Sequence, residues 1–516
     1  MSNTSKKTFY ITTPIYYPSG NLHIGHFYAT TIAWVLKNYK KKMNYDVKFL
    51  TGSDEHGQKI EKKAKENNMK PQDYVDIQTN KFIQLWEKTK IDYDFFSRTT
   101  NIQHKEIVEK IFNKLLEKEL IYKDKYKGLY SINDEEFILE TQALKIDDQY
   151  YHPVSKHKLE IVEEESYFFK ISKFSSWLID YVEKNSDFII PKTIWKELKN
   201  NFLNNSLEDL SVTRISFDWG IKVKKDPKHV IYVWLDALFN YISALGFDFE
   251  NPKNDFIKYW KNGDEIVHLI GKEISRFHCI YWPIFLHALD IKLPTTILAH
   301  GWIITPEGKM SKSKGNVINP LDLLEKYDSE IIKYFFVSKL NIVKDGIFSE
   351  KLLLETYNAD LVNTIGNLIS RTISMIKQNF SKPIAFKDID DDLNKNTLNL
   401  IVKSFENYKE NLDNFRILES FECILNLARN LNKYIDLTMP WKLKDDLDKL
   451  SIILNILLNG CYAILAMIEI VCPDYVKEFK QIFNINEFDF EQINNFHKFD
   501  NIVVNENKIV FSKFKQ

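Results

Sequence analysis

Paired cysteines are missing from this chain of 516 residues. Its four cysteines are Cys279, Cys423, Cys461 and Cys472. No Cys-x-x-Cys pair occurs, so the sequence offers neither a zinc knuckle nor a disulfide framework. An excess of charge of one sign is also missing, because 70 basic residues stand against 71 acidic ones. Bulk charge therefore gives no signal for a nucleic-acid partner, although a local basic patch would be enough to bind one.

The start of the sequence, from Met1 to Thr8, is polar and lacks the apolar core of a signal peptide. One stretch, Ile452 to Val471, is apolar over the length of a membrane span. It carries Asn455, Asn459 and Glu469, so we interpret it as the core helix of a helical bundle. We expect a cytoplasmic protein with no membrane partner.

What the chain does contain is an alternation of strand-like and helix-like segments. Apolar runs predict strands at Phe9–Thr12, Val47–Leu50, Ile266–Ile270 and Thr296–Ala299. Helical patterns follow the first of these strands near Ile24 and the third through Phe277, Ile284 and Leu289. This alternation indicates an α/β fold with a doubly wound, Rossmann-like parallel sheet.

The pattern changes twice along the chain, and the changes predict five segments. Short strands, turns and aromatics between the two αβ halves indicate an inserted α+β domain. After about residue 350, apolar residues recur at helical spacing and predict an all-α bundle. The predicted segments are the first half of the Rossmann-like domain 1–116, the inserted connective domain 117–228, the second half 229–320, a linker region 321–355 and the bundle 356–516.

The first candidate site is His23-Ile24-Gly25-His26, directly after a strand and turn. The start of a helix offers free N–H groups and a positive dipole end, which suit phosphate. The two histidines add donors that can follow charge developing on phosphate, and Gly25 leaves room for a nucleotide base. A four-residue match is weak by itself, and two unrelated histidines at a helix cap are the alternative.

The second candidate site is Lys309-Met310-Ser311-Lys312-Ser313, which Gly308 and Gly315 flank. Two lysines on a mobile loop can close over a triphosphate and stabilise charge while pyrophosphate leaves. A solvated loop of lysine and serine is the alternative. A Walker loop is excluded, because six residues separate Gly301 from Gly308 and Met310 stands where Ser or Thr is required.

In this order, the two motifs resemble the HIGH and KMSKS signatures of class I aminoacyl-tRNA synthetases. The segments that resemble methionyl-tRNA synthetases in particular are Thr12–Tyr17, Thr51–Gly57, Val233–Ala237, Gly271–Ile274 and Phe277-His278 with Trp282. The resemblance runs from about Thr8 to beyond Trp441. It implies an enzyme that activates L-methionine with ATP and transfers the methionyl group to the 3′ end of initiator and elongator tRNA(Met).

The resemblance also implies a role for individual residues. Asp54 would bind the ammonium of methionine, which a carboxylate suits. Aromatic rings pack well against a polarizable sulfur, and the residues around the thioether would be Tyr17, Trp234, Ala237, Tyr241, Ile274, His278 and Trp282. The residues at ATP would be His23, Gly25, His26, Lys272, Glu273, His300, Gly301, Lys309 and Lys312. Of these, His23, His26, Lys309 and Lys312 would be catalytic, and ordinary core packing is the alternative for Trp234 and Trp282.

In the helical tail, Asn367 and Arg371 are four residues apart and share a helix face, and Trp441 follows Pro440 in a later helix. The resemblance implies that these three residues bind the CAU anticodon and that 321–355 contacts the tRNA stem. Aromatic stacking and Arg or Asn hydrogen bonds are the usual means of recognising loop bases. A bundle helix with polar caps is the alternative. Dimeric relatives use a further domain after the bundle, and we expect none here, so the resemblance implies a monomer.

Two departures from the family pattern concern a metal and a pocket wall. Ser131 and Asp134 stand where many relatives have the cysteines of a zinc knuckle. His152 and His157 lie nearby, but histidines without thiolates make a poor structural zinc site. We therefore expect no structural zinc. The resemblance implies ATP as a substrate, together with Mg²⁺. Leu238 replaces a proline of some relatives, which leaves the shape of that pocket wall open.

Two other classes of protein compete with this interpretation. One is another class I synthetase, but the insert of about 110 residues is too small for the editing domain of the leucine, isoleucine and valine enzymes. The absence of clustered Cys and His ligands argues against the cysteine enzyme. The other is a nucleotidyltransferase of small metabolites or a silent RNA-binding relative. The former would not need the helical tail, and the latter would be expected to lose His23, His26, Lys309 or Lys312.

Overall fold

The computed structural model describes residues 6–20, 22–132, 136–138, 140, 143–153, 155–204, 207–310, 315–387 and 389–514. Among the residues with a role in the sequence analysis, Ser311, Lys312, Ser313 and Asp134 lie outside this described part.

The chain divides into two compact units. The first consists of Met1–Lys37 and Tyr45–His300, and the second of Asn38–Asn44 and Gly301–Gln516. This division is coarser than the five segments expected from the sequence, which stay a prediction.

A six-stranded parallel sheet forms the centre of the first unit. Its strands lie in the order Phe95–Arg98, Asp46–Ser53, Thr8–Tyr16, Glu265–Gly271, Thr296–His300 and Ile189–Ile190. Every neighbouring pair in this order runs parallel. Phe9, Tyr10 and Ile11 are fully buried, as expected for a central strand covered on both faces. The predicted doubly wound α/β fold is confirmed.

Helices separate these strands along the sequence, which is what a parallel sheet requires. The α-helices are Ile24–Lys42, whose last residues belong to the second unit, Gln58–Glu66, Pro71–Lys88, Ile102–Glu117, Ser175–Lys184, Lys192–Leu198, Val233–Leu238, Asn240–Ser243, Asn254–Phe256 and Trp282–Ala288. Short 3₁₀ turns occupy Ile171–Phe174 and Lys272–Ile274, and π-helical turns occupy Lys199–Leu203, Ile257–Lys261 and Phe277–Tyr281.

The region interpreted as an insert contains both strands and helices, as predicted. Its main sheet is antiparallel, with strands in the order Leu210–Ser211, Glu160–Phe169, Ile121–Ser131 and Glu136–Ile138. Two smaller antiparallel pairs join Leu144–Ile146 to Gln149–Tyr151 and Thr213–Arg214 to Val230–Ile231.

The second unit is mainly helical. Its α-helices are Pro320–Leu324, Ser329–Lys339, Glu350–Thr356, Asn367–Asn379, Asp392–Asp413, Ile417–Thr438, Leu447–Ile468 and Pro473–Phe483. A π-helix occupies Tyr357–Gly366, and 3₁₀ turns occupy Pro440–Lys442, Phe490–Gln492 and Phe496–Phe499. A small sheet joins Gly308–Lys309, Ile303–Thr305 and Gly346–Ile347. The predicted helical tail is confirmed.

The long apolar stretch forms the helix Leu447–Ile468, which is long and apolar enough to cross a membrane. However, 94% of its most apolar 18-residue segment is buried inside the protein. Its polar residues are satisfied there: Asn459 Nδ2 donates to Asn455 Oδ1 at 2.8 Å, and Asn455 Nδ2 donates to Ile384 O at 2.7 Å. A Cβ on Gly460 would lie 2.5 Å from Leu431 Cδ1, so glycine allows close packing against Ile417–Thr438. The helix is a bundle core, as predicted.

Candidate active site

The carboxyl edge of the parallel sheet brings together segments that lie far apart in sequence. Tyr17 follows the strand Thr8–Tyr16, Asp54 follows Asp46–Ser53, Lys272 follows Glu265–Gly271, and His300 ends its own strand. The first three of these strands are direct neighbours in the sheet. In open parallel sheets, ligands bind in the crevice at this edge, so the first unit has a candidate ligand site here.

His23 and His26 form one compact pair at the start of the helix Ile24–Lys42. Their rings stack with centroids 3.7 Å apart. The backbone N–H of His23 donates to His26 Nδ1 at 3.2 Å, so the proton of a neutral His26 ring is on Nε2. Desolvation by burial, followed by the nearby charge of His23, lowers the pKa of His26 well below its usual value. His26 is therefore a neutral donor through Nε2.

Gly25 has a local reason to be glycine. A Cβ at this position would lie 2.9 Å from Nδ1 of His23, which accepts a hydrogen bond from the Gly25 N–H at 3.2 Å. A side chain at position 25 would thus displace the His23 ring. The sequence does not show this contact. From the sequence alone, the glycine was explained by the room that a nucleotide base needs.

A buried tyrosine–histidine pair forms one wall of the candidate pocket. His278 Nδ1 donates to the carbonyl of Ile274 at 3.1 Å, and the Tyr241 hydroxyl lies 2.7 Å from His278 Nε2. Burial lowers the pKa of His278 to about 4. The ring is therefore neutral near pH 7, and its Nε2 accepts the hydroxyl proton of Tyr241.

A second buried histidine, His268, fixes Trp282. The indole Nε1–H of Trp282 donates to His268 Nε2 at 3.1 Å, which leaves the proton of a neutral ring on Nδ1 for Thr12 Oγ1 at 2.8 Å. Burial lowers the pKa of His268 well below its usual value. His268 and Thr12 were not among the predicted site residues. The available signal was a histidine and a threonine inside otherwise apolar central strands.

The remaining predicted pocket residues are held by different neighbours. Trp234 stacks on Phe277 with ring centroids 3.7 Å apart, and its ring meets that of His278 edge-on at 6.1 Å. The carbonyl of Ala237 accepts from Asn240 Nδ2 at 2.5 Å. Tyr17 donates its hydroxyl proton to the carbonyl of His56 at 3.0 Å. The structure thus links Trp234 to the Tyr241–His278 wall directly and ties Tyr17 to the loop that follows Asp54.

Asp54 is 8% exposed, and its backbone N–H donates to Tyr16 O at 3.0 Å. Burial raises the pKa of Tyr241 well above its usual value, and the negative charge of Asp54 raises it further. That interaction places the carboxylate within electrostatic reach of the tyrosine.

The next residue, Glu55, is fully buried and accepts from Arg98 Nε at 2.7 Å and Nη2 at 3.0 Å. This bidentate pair anchors the loop that carries Asp54.

A buried His–Asp–His chain connects the same loop to the helix Val233–Leu238. His56 Nδ1 donates to Asp236 Oδ2 at 2.6 Å, and His104 Nε2 donates to Asp236 Oδ1 at 2.6 Å. Burial acts to raise the pKa of Asp236, but His56 and His104 outweigh it and hold that pKa below its usual value. The charged carboxylate therefore fixes two pocket segments against each other. Neither histidine was predicted from the sequence.

The predicted ATP residues of the first unit lie at the same edge of the sheet. Lys272 and Glu273 form a 3₁₀ turn directly after the strand Glu265–Gly271, and Ser275 Oγ donates to Lys272 O at 2.5 Å. His300 is 8% exposed, and its ring meets that of Tyr28 edge-on at 5.5 Å. Tyr28 lies on the helix that begins next to His23, so His300 and the histidine pair share one structural support.

The other predicted ATP residues belong to the second unit and are described there by themselves. The N–H of Gly301 donates to Ile342 O at 2.8 Å. The ammonium of Lys309 lies 3.6 Å from the centroid of the Trp302 ring. Lys312 is outside the described residues.

The three predicted anticodon residues occur on or near two helices of the second unit. Asn367 and Arg371 lie on Asn367–Asn379, and Arg371 Nη2 is 3.3 Å from Asp436 Oδ1 near the end of Ile417–Thr438. Trp441 is 46% exposed. It follows Pro440 in a short helical element, the 3₁₀ turn Pro440–Lys442, and the left-handed residue Met439 before it ends the helix Ile417–Thr438. An exposed indole is available for stacking.

The predicted absence of zinc stays a prediction. Ser131 is fully buried at the end of its strand, and Asp134 is not described. Within the described residues, Glu165, Asp226 and His229 are arranged closely enough to hold a metal ion. However, Lys123 Nζ lies 2.8 Å from Glu165 Oε1 and 2.7 Å from Asp226 Oδ2. The Lys123 ammonium thus bridges the two carboxylates.

Comparison with known proteins agrees with this geometry. The family model described as tRNA synthetases class I (M) matches residues 9–147 and 139–373. Methionine–tRNA ligase of Mycoplasmopsis pulmonis is 54% identical over 514 residues, which cover 99% of this chain and 100% of that protein. The Bacillus subtilis enzyme of the same name is 45% identical over 447 residues, covering 85% of this chain and 67% of that protein.

Among solved structures, Mycobacterium tuberculosis methionyl-tRNA synthetase in complex with methionyl-adenylate has a TM-score of 0.92 and 30% identity. The match covers 98% of this chain and 99% of that one. The motifs, the parallel-sheet site and these similarities converge on one assignment: the chain belongs to the methionyl-tRNA synthetases, a family of class I aminoacyl-tRNA synthetases.

Proposed function

We propose that the carboxyl edge of the parallel sheet is where this chain performs the reaction of its family. The chain activates L-methionine with ATP to methionyl-adenylate and then charges tRNA with the methionyl group. The observation that carries the site assignment is the group of side chains at this edge. It combines a buried carboxylate, Asp54, with the neutral Tyr241–His278 pair and surrounding aromatic rings. These groups match the charged and the uncharged ends of methionine.

The amino-acid end of the proposed site selects by charge. Asp54 binds the ammonium group through charge-assisted hydrogen bonds, which are the strong ones. Its loop is immobilised by the Glu55–Arg98 pair and by His56 on Asp236, so the carboxylate is positioned before the substrate arrives. Preorganisation of this kind lowers the entropic cost of ordering the site when the substrate binds.

The side-chain end of the proposed site selects by polarizability and by lack of charge. Burial keeps His278 neutral, so no ion in the wall requires a counter-ion from the ligand. The Trp234 and Trp282 rings, which Phe277 and His268 hold in place, present aromatic surface to a thioether sulfur. Methionine satisfies this environment better than a charged or strongly polar side chain, because burying an unpaired polar group is costly.

The first chemical step is an in-line displacement at phosphorus. A carboxylate oxygen of methionine attacks the α-phosphorus of ATP, and the bond from that phosphorus to the β-bridging oxygen breaks. Pyrophosphate leaves with the electron pair. We propose that the phosphates accept hydrogen bonds from His26 Nε2–H, from His23 and from the first turn of the helix Ile24–Lys42.

The other residues proposed at ATP are Gly25, Lys272, Glu273, His300, Gly301, Lys309 and Lys312. We assign the two lysines Lys309 and Lys312 to the charge that develops on the leaving pyrophosphate. Mg²⁺ is proposed to arrive as the ATP complex, because it usually keeps several waters and binds phosphate oxygens. Positioning and charge stabilisation then provide most of the acceleration.

The second step transfers the methionyl group to tRNA. The 2′-hydroxyl oxygen of the terminal adenosine attacks the carbonyl carbon of the adenylate, AMP leaves with the electron pair, and the hydroxyl proton is released. We propose that Asn367, Arg371 and the exposed Trp441 recognise the CAU anticodon. We also propose a cytoplasmic monomer that functions without structural zinc.

Methionine-dependent pyrophosphate exchange tests the proposal directly. Each of the twenty amino acids is offered separately with ATP and labelled pyrophosphate. We expect methionine to support rapid exchange and the others to support little or none. Rapid exchange with a different amino acid alone would assign the pocket to another class I synthetase, and no exchange with any would leave the chain without the first step.

A further inference from the structure

The hairpin that precedes residues 311–314 brings two side chains together by its register. Ile304 pairs with Lys309, and Thr305 pairs with Gly308, in antiparallel strands. Trp302 lies two residues before Ile304, so its side chain points to the same face of the hairpin as that of Lys309. The two are diagonal neighbours, a separation that aromatic and long side chains bridge. Their contact therefore follows from the strand pairing itself.

The contact is a cation–π interaction. Lys309 Nζ lies 3.6 Å from the centroid of the Trp302 ring. Within the described residues, which omit 311–314, Lys309 forms no salt bridge with a carboxylate. The indole face is thus the electrostatic partner of the Lys309 ammonium in this part of the chain.

Trp302 is fixed on the side away from Lys309. Its backbone N–H donates to Asp345 Oδ1 at 2.9 Å, and its carbonyl accepts from the N–H of Gly346 at 2.8 Å. The strand Ile303–Thr305 continues this pairing with Gly346–Ile347. The lysine side chain has four rotatable bonds, whereas the backbone of Trp302 is held on both sides by these hydrogen bonds. The element that moves when the contact breaks is therefore Lys309.

We propose that Trp302 is a positioning residue that holds the Lys309 ammonium in a resting position, from which the triphosphate of ATP withdraws it. This inference rests on the proposed function, in which Lys309 acts on the phosphates. A phosphate group carries a full negative charge, whereas the indole ring offers only a quadrupole. The Lys309 ammonium therefore binds phosphate more strongly than it binds the ring.

The resting contact lowers the apparent affinity for ATP. A ligand that needs a state populated only in part binds more weakly by that fraction. A partly exposed cation–π contact changes such an equilibrium by roughly two- to fivefold. In exchange, the lysine is kept close to the hairpin instead of pairing with a surface carboxylate. Trp302 thus sets how readily Lys309 reaches the nucleotide.

Equilibrium binding of a non-hydrolysable ATP analogue tests the proposal in four proteins: wild type, Trp302→Leu, Lys309→Met and the double variant. We expect Trp302→Leu to tighten binding about two- to fivefold. In the Lys309→Met background the same replacement should have no effect, because no ammonium is left to hold. Trp302→Phe keeps a weaker ring and should fall between wild type and Trp302→Leu. Methionine affinity and melting temperature serve as controls and should not change.

A spectroscopic measurement makes the same test without relying on affinity. In protein labelled with 5-fluorotryptophan, the ¹⁹F resonance of position 302 is identified by its loss in Trp302→Phe. The ATP analogue should move this resonance toward its position in Lys309→Met. In Lys309→Met itself, the analogue should leave the resonance unmoved.

Several results would overturn the inference. Weaker binding by Trp302→Leu in both backgrounds would show that the indole contacts the nucleotide directly. Equal binding by all four proteins would show that the contact has no energetic role. A wild-type protein that binds no ATP analogue would instead contradict the proposed function, so the two failures can be told apart.

Discussion

At the residue scale, burial determines the charge of the pocket histidines. Desolvation lowers the pKa values of His26, His268 and His278, and each ring then donates or accepts through defined nitrogens. The Tyr241 hydroxyl can donate to His278 Nε2 because that ring is neutral and its Nδ1 proton already points to Ile274 O. Two carboxylates contrast with these neutral rings. Asp54 is proposed to bind the substrate ammonium, and Asp236 accepts hydrogen bonds from His56 and His104.

Replacing Asp54 by Asn should weaken methionine binding about 10- to 100-fold and leave ATP binding unchanged. The variant keeps the shape but loses the charge, and a hydrogen bond to a charged group contributes about 1.5–3 kcal/mol. Calorimetric titration with each ligand is the measurement. Asp73→Asn, at an exposed helix position, is the matched control and should behave as wild type. Unchanged methionine affinity in Asp54→Asn would remove this carboxylate from the site.

The sequence pointed to residues inside short motifs and not to the residues that support them. The resemblance of contiguous segments indicated Asp54, His278 and Trp282, whose roles stay predictions. His104 and Asp236 are 132 residues apart, and Thr12 and His268 are 256 apart. Only the fold makes such residues neighbours. A polar residue inside an apolar strand is visible in the sequence, but its partner is not. Gly25 shows the same limit, since the sequence does not indicate that the His23 ring lies where a Cβ at position 25 would be.

At the element scale, the central strands were predictable because parallel strands are buried on both faces and appear as apolar runs. The strands predicted at Phe9–Thr12 and Ile266–Ile270 lie within the observed Thr8–Tyr16 and Glu265–Gly271. The edge strand Ile189–Ile190 was missed, because two residues carry no periodicity. The helix expected after Pro440 is only the 3₁₀ turn Pro440–Lys442, and the left-handed conformation of Met439 before it has no sequence signal.

The strand Ile121–Ser131 leads to a prediction about metal content. Ser131 replaces a thiolate that zinc would need, so the purified protein should contain much less than one zinc per chain. Elemental analysis measures this, and methionine activation should persist after treatment with a zinc chelator. About one zinc per chain, together with loss of folding on chelation, would contradict the prediction.

The helix Pro473–Phe483 leads to a prediction about pH. Glu330 accepts hydrogen bonds from Asp474 N at 2.8 Å and Tyr475 N at 3.1 Å at the start of this helix. Burial raises the pKa of Glu330 to about 7, from 4.5 in the unfolded chain. The folded state therefore binds more protons between these values, and its free energy of unfolding should fall as pH rises from 4.5 to about 7.

The slope from this one group is at most about 1.4 kcal/mol per pH unit. Urea unfolding of wild type, Glu330→Gln and the exposed control Glu406→Gln at several pH values measures it. Glu330→Gln should lose part of the pH dependence, whereas the control should follow wild type. Identical pH profiles for all three proteins would mean that Glu330 is ionised in the fold over the whole range.

At the scale of the whole molecule, the two units have different proposed tasks. The first unit holds the sheet edge with Asp54 and the histidines, where methionine and the α-phosphate are proposed to react. The second unit holds Arg371 and Trp441, where the anticodon is proposed to bind. Damage to the proposed anticodon site should therefore affect charging of tRNA and spare activation of methionine.

The most direct test compares both reactions in Trp441→Ala and Trp441→Phe, with the melting temperature measured on the same preparations. Trp441 is 46% exposed, so its removal should not disturb a core. Losing one base–aromatic stack costs about 1–3 kcal/mol. Charging of a CAU-anticodon tRNA by Trp441→Ala should thus fall by about tenfold or more, with pyrophosphate exchange and melting temperature unchanged, and Trp441→Phe should retain most charging. Normal charging by Trp441→Ala, or a joint loss of both activities with a lower melting temperature, would contradict the account.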